Sequence, residues 1–348
     1  MTLATSDVVG ILGDNLRLRG SVLPISARKA TRWTRGLGLP HGGSTVLYTG
    51  QMYQLVPYIE KLVAAEERLG DSPLARLTGL GRHVNQVINI SAFMGHPSSE
   101  EREHFDEVPR RIVRLLREAG VEFGCLYEHD LYSGALAYDL GLDDLVAKHA
   151  RKVLEGLRTY GPVKELITID PHTTNMLRTV YPKLLGEQWN FKVRSYLEVL
   201  AERQQAAETA SGNGRPKSAV GGKLRQLALH DSCVYARHEG VIDQPRQLLA
   251  NAGIEVLEPD RAGQLTWCCG GPAESLYPAK ALAVGRKRVE QIQAVAPECV
   301  TMCPLCLVNL TKAAAGAVKF RDISEVLLEA SERAEIGETP AEPAVLAH

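Results

Sequence analysis

The sequence predicts an α/β protein made of two pseudo-symmetric Rossmann-like domains with parallel sheets. Three observations predict this fold. Strand-like and helical segments alternate along the chain, an internal repeat recurs in matching order, and 348 residues is a natural length for two domains. The composition, with 45% hydrophobic and 23% charged residues, is typical of a globular protein.

The first half of the chain begins with a strand and then alternates between helices and strands. Helical spacing is clear in the segment that opens at Ser98, where apolar residues recur at Val108, Ile112 and Leu115 before Gly120. The expected elements are a strand at Ser44–Thr49, a helix at Tyr53–Leu69, a helix from Ser98 to Gly120, a helix at Asp143–Tyr160 and a strand at Glu165–Ile169.

The second half repeats this alternation after a segment rich in Gly, Ser, Pro and Lys. Strands are expected at Leu227–His230, Ile254–Leu257 and Val300–Met302, and helices at Pro245–Ala252, Pro278–Ala294 and Ile323–Ala330. The predicted division is an N-terminal extension at 1–43, a first α/β domain at 44–209, a linker at 210–222, a second α/β domain at 223–333 and a disordered tail at 334–348.

An internal repeat relates the two domains. Ala119–Phe123 (AGVEF) matches Ala252–Val256 (AGIEV), and Ile167–Leu177 matches Val300–Leu310 through Thr, Pro and the final Leu. Both matches share one register and occur in the same order along the chain. We infer that the chain contains two copies of one α/β unit.

Net charge and the distribution of apolar residues argue against several classes of function. The net charge is −1, with 40 basic and 41 acidic residues, whereas nucleic-acid binding normally needs a basic surplus. The sequence has no apolar run long enough for a transmembrane helix and no secretory signal at its N-terminus. These features predict a cytoplasmic protein without nucleic-acid partners.

Six of the seven cysteines lie between residues 233 and 306, a clustering that in a reducing compartment indicates metal or redox chemistry. Cys233 follows one predicted strand, Cys268-Cys269 precede a Gly-Gly-Pro turn, and Cys303 and Cys306 follow another strand as Cys-Pro-Leu-Cys. Because neighbouring strands of a parallel sheet end at one edge, the three pieces can converge there, where open α/β sheets usually bind ligands.

Five converging thiolates favour a multi-iron cluster. Soft thiolates select iron–sulfur clusters, Zn or Cu(I), and several iron atoms each need a thiolate ligand. Structural Zn is satisfied by four ligands, and no histidine stands at a zinc-ribbon spacing from these cysteines. Zinc, and buried or redox-active cysteines without a metal, remain the alternatives.

The pattern Cys233…Cys268-Cys269-Gly270-Gly271-Pro272…Cys303-Pro304-Leu305-Cys306 resembles the cysteine-rich CCG domain. That domain defines a family that contains the cysteine-rich subunit of heterodisulfide reductase and the iron–sulfur subunits of anaerobic glycerol-3-phosphate dehydrogenase and of glycolate and lactate oxidases. The resemblance covers about residues 225–330, and about 44–185 through the repeat. It implies one [4Fe–4S] cluster of the non-cubane type found in heterodisulfide reductase, with Cys233, Cys268, Cys269, Cys303 and Cys306 as its metal ligands.

The chain departs from this family in two respects. Its N-terminal copy lacks the cysteine ligands, since the repeat places Gln51 at Cys233, Tyr132-Ser133 at Cys268-Cys269, Asp170 at Cys303 and Thr173 at Cys306. It also contains no Cys-x-x-Cys-x-x-Cys ferredoxin run, so cubane clusters that supply electrons are expected on another subunit. We therefore expect one cluster per chain, in the C-terminal copy.

The resemblance predicts an oxidoreductase subunit of the heterodisulfide reductase type, for thiol/disulfide chemistry or for electron transfer in a multi-subunit enzyme. It is not expected to be active alone, because no Gly-x-Gly-x-x-Gly turn for a dinucleotide is present. Expected partners are a ferredoxin-like iron–sulfur subunit, a flavoprotein or both, with a disulfide or thiol as a candidate substrate. Alternatives are an electron conduit of a flavin-dependent hydroxyacid or glycerol-3-phosphate dehydrogenase, and a Zn-stabilised structural subunit.

Several other residues have competing interpretations. Cys299 reads as a buried core residue rather than a ligand. Cys125 and His129, with Asp170 and His172 in the matched loop, are either a packed vestige or a second binding site. His230 and Asp231 either tune the cluster or form a solvated strand end, and Arg237 and His238 are candidates for contact with a substrate anion.

Overall fold

The computed structural model describes residues 5–23, 25–69, 97–211, 224–274 and 276–336. It contains two four-stranded parallel sheets with helices packed around them, which confirms the predicted fold class. The strands are β1 (Thr45–Tyr48), β2 (Gly124–Cys125), β3 (Glu165–Thr168), β4 (Lys192–Ser195), β5 (Arg225–His230), β6 (Ile254–Leu257), β7 (Glu298–Thr301) and β8 (Lys319–Asp322).

The two sheets have the same topology. The first has the strand order β2-β1-β3-β4 and the second has the order β6-β5-β7-β8, with every pairing parallel. All four strands of a sheet therefore end at one edge. In the second sheet this register brings the end of β5 beside the end of β7, with His230 paired to Thr301.

Nine helices precede, connect or follow the strands of the first sheet within the described residues. They are α1 (Thr5–Arg19), α2 (Ala27–Ala30), α3 (Met52–Leu69), α4 (Ser99–Glu118), α5 (Ala135–Asp139), α6 (Asp143–Thr159), α7 (Pro171–Asn175), α8 (Tyr181–Leu185) and α9 (Tyr196–Ser211), with a π-helical turn at Met176–Val180. The start of α4 is fixed by a capping box, in which the Ser98 side chain accepts from the Glu101 amide and the Glu101 side chain accepts from the Ser98 amide.

The second sheet has a similar set of helices. They are α10 (Asp243–Asn251), α11 (Pro278–Gln293), α12 (Pro304–Ala314) and α13 (Ile323–Ile336), with a π-helical turn at Tyr235–Glu239. Within the described residues, no helix is both long enough and apolar enough to cross a membrane.

Matching turns in the two halves support the repeat inferred from the sequence. Asp170 and Cys303 both have extended backbone and both precede a helix whose first residue is proline. Gly134 and Gly270 both have a positive φ, 85° and 83°, just before a short helical segment. The sequence match thus corresponds to matching backbone conformations.

Two tyrosines join the halves in a reciprocal way. Tyr53 follows the first strand of its sheet, and its hydroxyl donates to Asp322, the last residue of β8, at 2.6 Å. Tyr235 occupies the same place after β5, and its hydroxyl lies 2.8 Å from Ser195, the last residue of β4. All four side chains are buried, and the apolar cores of both halves are continuous. The interface therefore holds the two halves in a fixed pseudo-twofold arrangement.

The structure adds elements that the sequence analysis did not predict. Helix α1 occupies part of the predicted extension and packs on α6, burying Val8, Leu12 and Leu16. Strand β7 begins at Glu298, two residues before its predicted start, so Cys299 lies inside the strand. Most of the predicted linker and the end of the tail, residues 212–223 and 337–348, lie outside the described residues, and the domain division stays a prediction.

Candidate metal centre

The cysteine segments meet at the carboxyl edge of the second sheet. Cys233 opens the turn after β5, and Cys268-Cys269 lie in the loop that follows β6. Cys303 is the N-cap of α12, and Cys306 lies in the first turn of that helix. The convergence predicted from the strand pattern is therefore present.

The five thiols lie near one another at this edge. The Cys306 thiol donates to the Cys269 sulfur at 3.2 Å. Cys268 interacts electrostatically with Cys233 and Cys269, and Cys303 interacts in the same way with Cys306. Cys269, Cys303 and Cys306 are at most 2% exposed, whereas Cys233 and Cys268 are partly exposed. The site is thus buried on one side and reaches the surface on the other.

The thiols differ in acidity according to these interactions. Donation from Cys233 and Cys269 lowers the pKa of Cys268. Burial opposes ionisation of Cys303, but donation from Cys306 and His172 holds its pKa well below the usual range. The donors Cys233, Cys269 and Cys306 have raised pKa values. Thiolates are the form that binds metal, and the lowered pKa values of Cys268 and Cys303 favour that form.

Backbone amides support the adjacent cysteine pair. The Gly270 amide donates to the Cys268 sulfur at 3.3 Å, and the Gly271 amide donates to the Cys269 sulfur at 3.4 Å. Gly270 has φ +83°, and a Cβ there would overlap the Ala281 carbonyl oxygen. Glycine is therefore required for the turn that aims both amides at sulfur.

A buried histidine of the second sheet also faces the sulfurs. A ring nitrogen of His230 lies within 4.8 Å of the Cys269 and Cys306 sulfurs. His230 is 0% exposed, which excludes the solvated strand end considered from the sequence. Its Nδ1 accepts from Arg288 at 3.1 Å, and its Nε2 has no hydrogen-bond partner among the described residues.

The N-terminal half contributes a second histidine to this site. His172, at the start of α7, interacts electrostatically with Cys303 across the interface, and its Nδ1 lies 3.8 Å from Asp139. Burial lowers the pKa of His172, but the contacts with Cys303 and Asp139 outweigh it and raise the pKa to about 9. Sequence analysis had grouped His172 with the N-terminal copy, because only the docking of the two halves brings it to the cysteines.

Other candidate residues have structural roles. Asp231 receives a bidentate ion pair from Arg246, with both distances 2.8 Å, and accepts from the Gly263 amide at 2.7 Å. Arg237 donates to backbone carbonyls of the same loop, at Gln264 and Thr266. These contacts hold the loop that leads to Cys268-Cys269.

The positions that replace the cysteines in the N-terminal half contact one another through oxygen. The Thr173 hydroxyl lies 3.4 Å from the Ser133 hydroxyl, where the second half has the Cys306–Cys269 contact. Asp170 accepts from the Thr173 amide at 2.9 Å, and Gln51 donates to the Asp130 carbonyl at 2.6 Å. The backbone frame is the same, but hydroxyl and carboxyl groups have replaced the thiols.

The remaining two cysteines lie away from this group. Cys299 is fully buried inside β7, as expected for a core residue, and burial raises its pKa. Cys125 is buried at the end of β2, and burial raises its pKa to about 11. Nearby, Nε2 of His129 lies 2.6 Å from the Tyr160 hydroxyl, and the two rings stack.

The donor set fits an iron–sulfur cluster. Five sulfur atoms, two of them on adjacent residues, exceed what one tetrahedral zinc needs and suit a centre with several metal atoms. The amides of Gly270 and Gly271 point at sulfur, which is the kind of hydrogen bonding that stabilises the negative charge of such clusters.

Comparison with known proteins agrees with this chemistry. Residues 227–311 match the model of the cysteine-rich domain CCG. All five of the clustered cysteines lie inside the matched range, so the resemblance drawn from the cysteine pattern is confirmed there.

Relatives extend the similarity beyond the CCG domain. The chain is 32% identical over 245 residues to the EtfAB:quinone oxidoreductase of Syntrophomonas wolfei, covering 66% of this chain and 33% of that protein. It is 30% identical over 226 residues to the probable iron-sulfur-binding oxidoreductase FadF of Bacillus subtilis, covering 62% and 30%. It is 28% identical over 227 residues to one of the subunits of the dihydromethanophenazine:CoB–CoM heterodisulfide reductase of Methanosarcina barkeri, covering 62% and 53%.

These relatives are oxidoreductases by name, and the similarity supports a redox role in electron transfer for this chain. The chain spans about a third to a half of the length of these curated relatives. The cysteine-rich domain and the relatives together indicate an iron–sulfur cofactor.

Proposed function

We propose that Cys233, Cys268, Cys269, Cys303 and Cys306 bind one [4Fe–4S] cluster of the non-cubane type, and that the chain transfers electrons as a subunit of a larger oxidoreductase. The observation that carries the proposal is the convergence of the five cysteines at one sheet edge, where the Cys306 thiol donates to the Cys269 sulfur. A bound cluster would supply one-electron redox chemistry at this edge.

The residues around the site have roles that suit such a centre. The N-terminal half covers Cys303 with His172 and excludes water from that side, since both residues are at most 5% exposed. Cys233 and Cys268 remain partly exposed on the other side. Electrons would enter or leave where Cys233 and Cys268 approach the surface, because a redox partner can come closest to the metal there.

Reduction of a disulfide is the second candidate function. It needs two electrons and two protons for each pair of thiols released. Asp139, whose side chain is 38% exposed, lies 3.8 Å from His172, and His172 contacts Cys303. This series of groups leads from solvent to the sulfurs and can hold a proton at His172 Nδ1. One relative belongs to a heterodisulfide reductase, which makes a disulfide a reasonable substrate to test.

Metal analysis of anaerobically purified protein tests the main proposal. We expect brown protein with about four irons and four sulfides per chain. About eight irons would contradict the assignment of a single cluster to the C-terminal half. Zinc without iron would contradict the iron–sulfur proposal and favour a structural subunit.

Two cysteine variants test the ligand assignment. Cys269→Ser should remove or distort the cluster, because a serine oxygen is a poor replacement for a soft thiolate. Cys299→Ser is the matched control, since Cys299 is a buried cysteine inside β7 and is not one of the five proposed ligands. Equal loss of iron from both variants would show that the ligand set is wrong.

Redox partners are tested by reconstitution. We expect negligible NADH-linked activity from the isolated chain, because its sequence has no dinucleotide-binding turn. A flavoprotein or ferredoxin-like partner that co-purifies should reduce the cluster. Turnover of a disulfide with NADH by this chain alone would contradict the proposed dependence on a partner.

A further inference from the structure

Arg288 and His230 form a buried pair beside the metal centre, where a ring nitrogen of His230 lies within 4.8 Å of the Cys269 and Cys306 sulfurs. Both side chains are 0% exposed, and Arg288 is among the largest fully buried side chains of the chain. A buried guanidinium is unfavourable unless its donors are satisfied. The contacts of Arg288 and His230 therefore indicate the role of the pair.

The guanidinium of Arg288 is fixed by three acceptors besides the histidine. Its NH1 group donates to the carbonyl oxygens of Asp260 at 2.7 Å and Arg261 at 3.3 Å, and to the Gln291 side chain at 2.9 Å. These bonds anchor NH1, while NH2 has no hydrogen-bond partner among the described residues. Its Nε then points at Nδ1 of His230, 3.1 Å away.

This contact determines the tautomer of His230. The arginine Nε–H can only donate, because a guanidinium has no acceptor and does not lose its proton in proteins. Nδ1 must therefore offer its lone pair, and in the neutral ring the proton resides on Nε2.

The same contact excludes His230 as a metal ligand. A neutral imidazole has one lone pair in its plane, and here Arg288 occupies it. Coordination through Nε2 would move the ring proton to Nδ1, where it would face the arginine Nε–H, donor against donor. What Nε2 can offer is a hydrogen bond, and it has no other partner among the described residues.

We propose that Arg288 holds His230 in the tautomer with the proton on Nε2, that this unpartnered N–H serves as a donor to a cluster held by Cys269 and Cys306, whose sulfurs lie within 4.8 Å of a ring nitrogen, and that this hydrogen bond raises the reduction potential of the cluster. The inference rests on the proposed cluster. Reduction adds negative charge to the sulfur atoms, so a donor aimed at them stabilises the reduced state more than the oxidised state.

The expected size is set by the difference in strength of this hydrogen bond between the reduced and the oxidised state. A difference as large as one ordinary hydrogen bond corresponds to about a tenfold change in an equilibrium constant. At a fixed potential, removal of the donor should lower the ratio of reduced to oxidised cluster about tenfold. For one electron this corresponds to about 59 mV.

Two variants of His230 separate the hydrogen bond from simple packing. His230→Leu removes the donor, whereas His230→Gln keeps an N–H near the position of Nε2. Iron and sulfide are measured first, and redox titrations by electron paramagnetic resonance are then made on anaerobic protein with full iron content. We expect the tenfold loss in the leucine variant and a ratio within about threefold of wild type in the glutamine variant.

The outcomes distinguish this inference from the proposed function. Wild-type protein without iron would contradict the cluster itself. Full iron with an unchanged potential in His230→Leu would overturn the inference and leave the cluster intact. If His230→Leu does not retain iron, Arg288→Lys replaces it: the charge stays while the planar Nε donor is lost, and an unchanged potential would overturn the inference.

Isotope spectroscopy on the cluster-loaded protein tests the excluded alternative. With nitrogen-15 histidine, we expect a weak coupling from a hydrogen-bonded ring nitrogen that disappears in His230→Gln. That coupling should persist in His172→Gln, which removes the other histidine at the site. A strong coupling of a nitrogen bound directly to iron, lost in His230→Gln, would show that His230 is a ligand and would overturn the inference.

Discussion

Replacing Tyr53 by phenylalanine should weaken the interface between the two halves more than the equivalent change at Tyr235. The Tyr53 hydroxyl donates to the Asp322 carboxylate at 2.6 Å, and both side chains are at most 2% exposed. Loss of a buried hydrogen bond to a charged acceptor destabilises by about 2 kcal/mol, because the carboxylate oxygen loses its donor.

Tyr235 provides the matched control on the other side of the pseudo-twofold axis. Its hydroxyl contacts two neutral hydroxyls, Ser195 at 2.8 Å and Thr174 at 3.3 Å. Both retain other partners, since Thr174 donates to the Asp170 carbonyl and Ser195 accepts from the Leu197 amide. We expect Tyr235→Phe to lower the free energy of unfolding by about 1 kcal/mol or less.

The two variants should also differ in their dependence on pH. Burial raises the pKa of Asp322, while the Tyr53 hydrogen bond partly offsets that rise. A carboxyl group with a raised folded pKa loses stability as pH rises from its unfolded value, about 3.9, through the folded pKa. Tyr53→Phe raises that pKa further, so its destabilisation should grow as pH rises through the folded pKa of Asp322.

Urea unfolding of anaerobic protein over a series of pH values upward from the unfolded pKa measures these differences, with the midpoint compared at constant slope. Iron content is determined in each variant, so that loss of cofactor is not mistaken for loss of the interface. The reasoning is refuted if Tyr53→Phe is no more destabilising than Tyr235→Phe, or if its effect is the same at every pH of the series.

Three further predictions concern single sites. Gly270→Ala should destabilise by about 2 kcal/mol or more, whereas Gly253→Ala, which has a positive φ but no atom near its Cβ, should lose only about 1 kcal/mol in urea unfolding. Burial and neighbouring carboxylates raise the pKa of Glu60 to about 7, so wild-type stability should fall between about pH 4.5 and 7 and Glu60→Gln should flatten that slope. Cys125 should resist alkylation at pH 8 in folded protein, read by mass spectrometry, because its thiol is buried and its pKa is about 11; rapid modification would contradict this placement.

The sequence predicted elements whose apolar pattern is local. Strand β6 and the start of α11 lie where their alternation and the proline at Pro278 placed them. The sequence analysis did not predict helix α1, because three apolar positions spaced four residues apart, Val8, Leu12 and Leu16, are a weak periodic signal by themselves. Strands β4 and β8 were missed because four-residue segments with exposed charged residues carry little periodicity.

The cysteine cluster could be predicted because its signal is carried by residue type and spacing alone. The two histidines at the site could not be assigned in the same way. His230 depends on an arginine 58 positions away, and His172 depends on the docking of one half against the other. Each contact joins segments that are distant in the sequence, so only the folded chain shows that both rings face sulfur.

The two halves show how one backbone frame can exist with and without a metal site. In the first half the N-cap Asp170 satisfies the α7 amides with its own carboxylate, so that turn is complete without any ligand. In the second half Cys303 occupies the same place and makes no side-chain cap, so its sulfur remains available to a metal. An oxygen at this position caps the helix by itself, whereas a thiol at the matched position leaves the helix uncapped and can bind a metal. The N-terminal half has no cysteines at these positions, so its turns are complete without a ligand, and it presents His172 and Tyr53 to the C-terminal half.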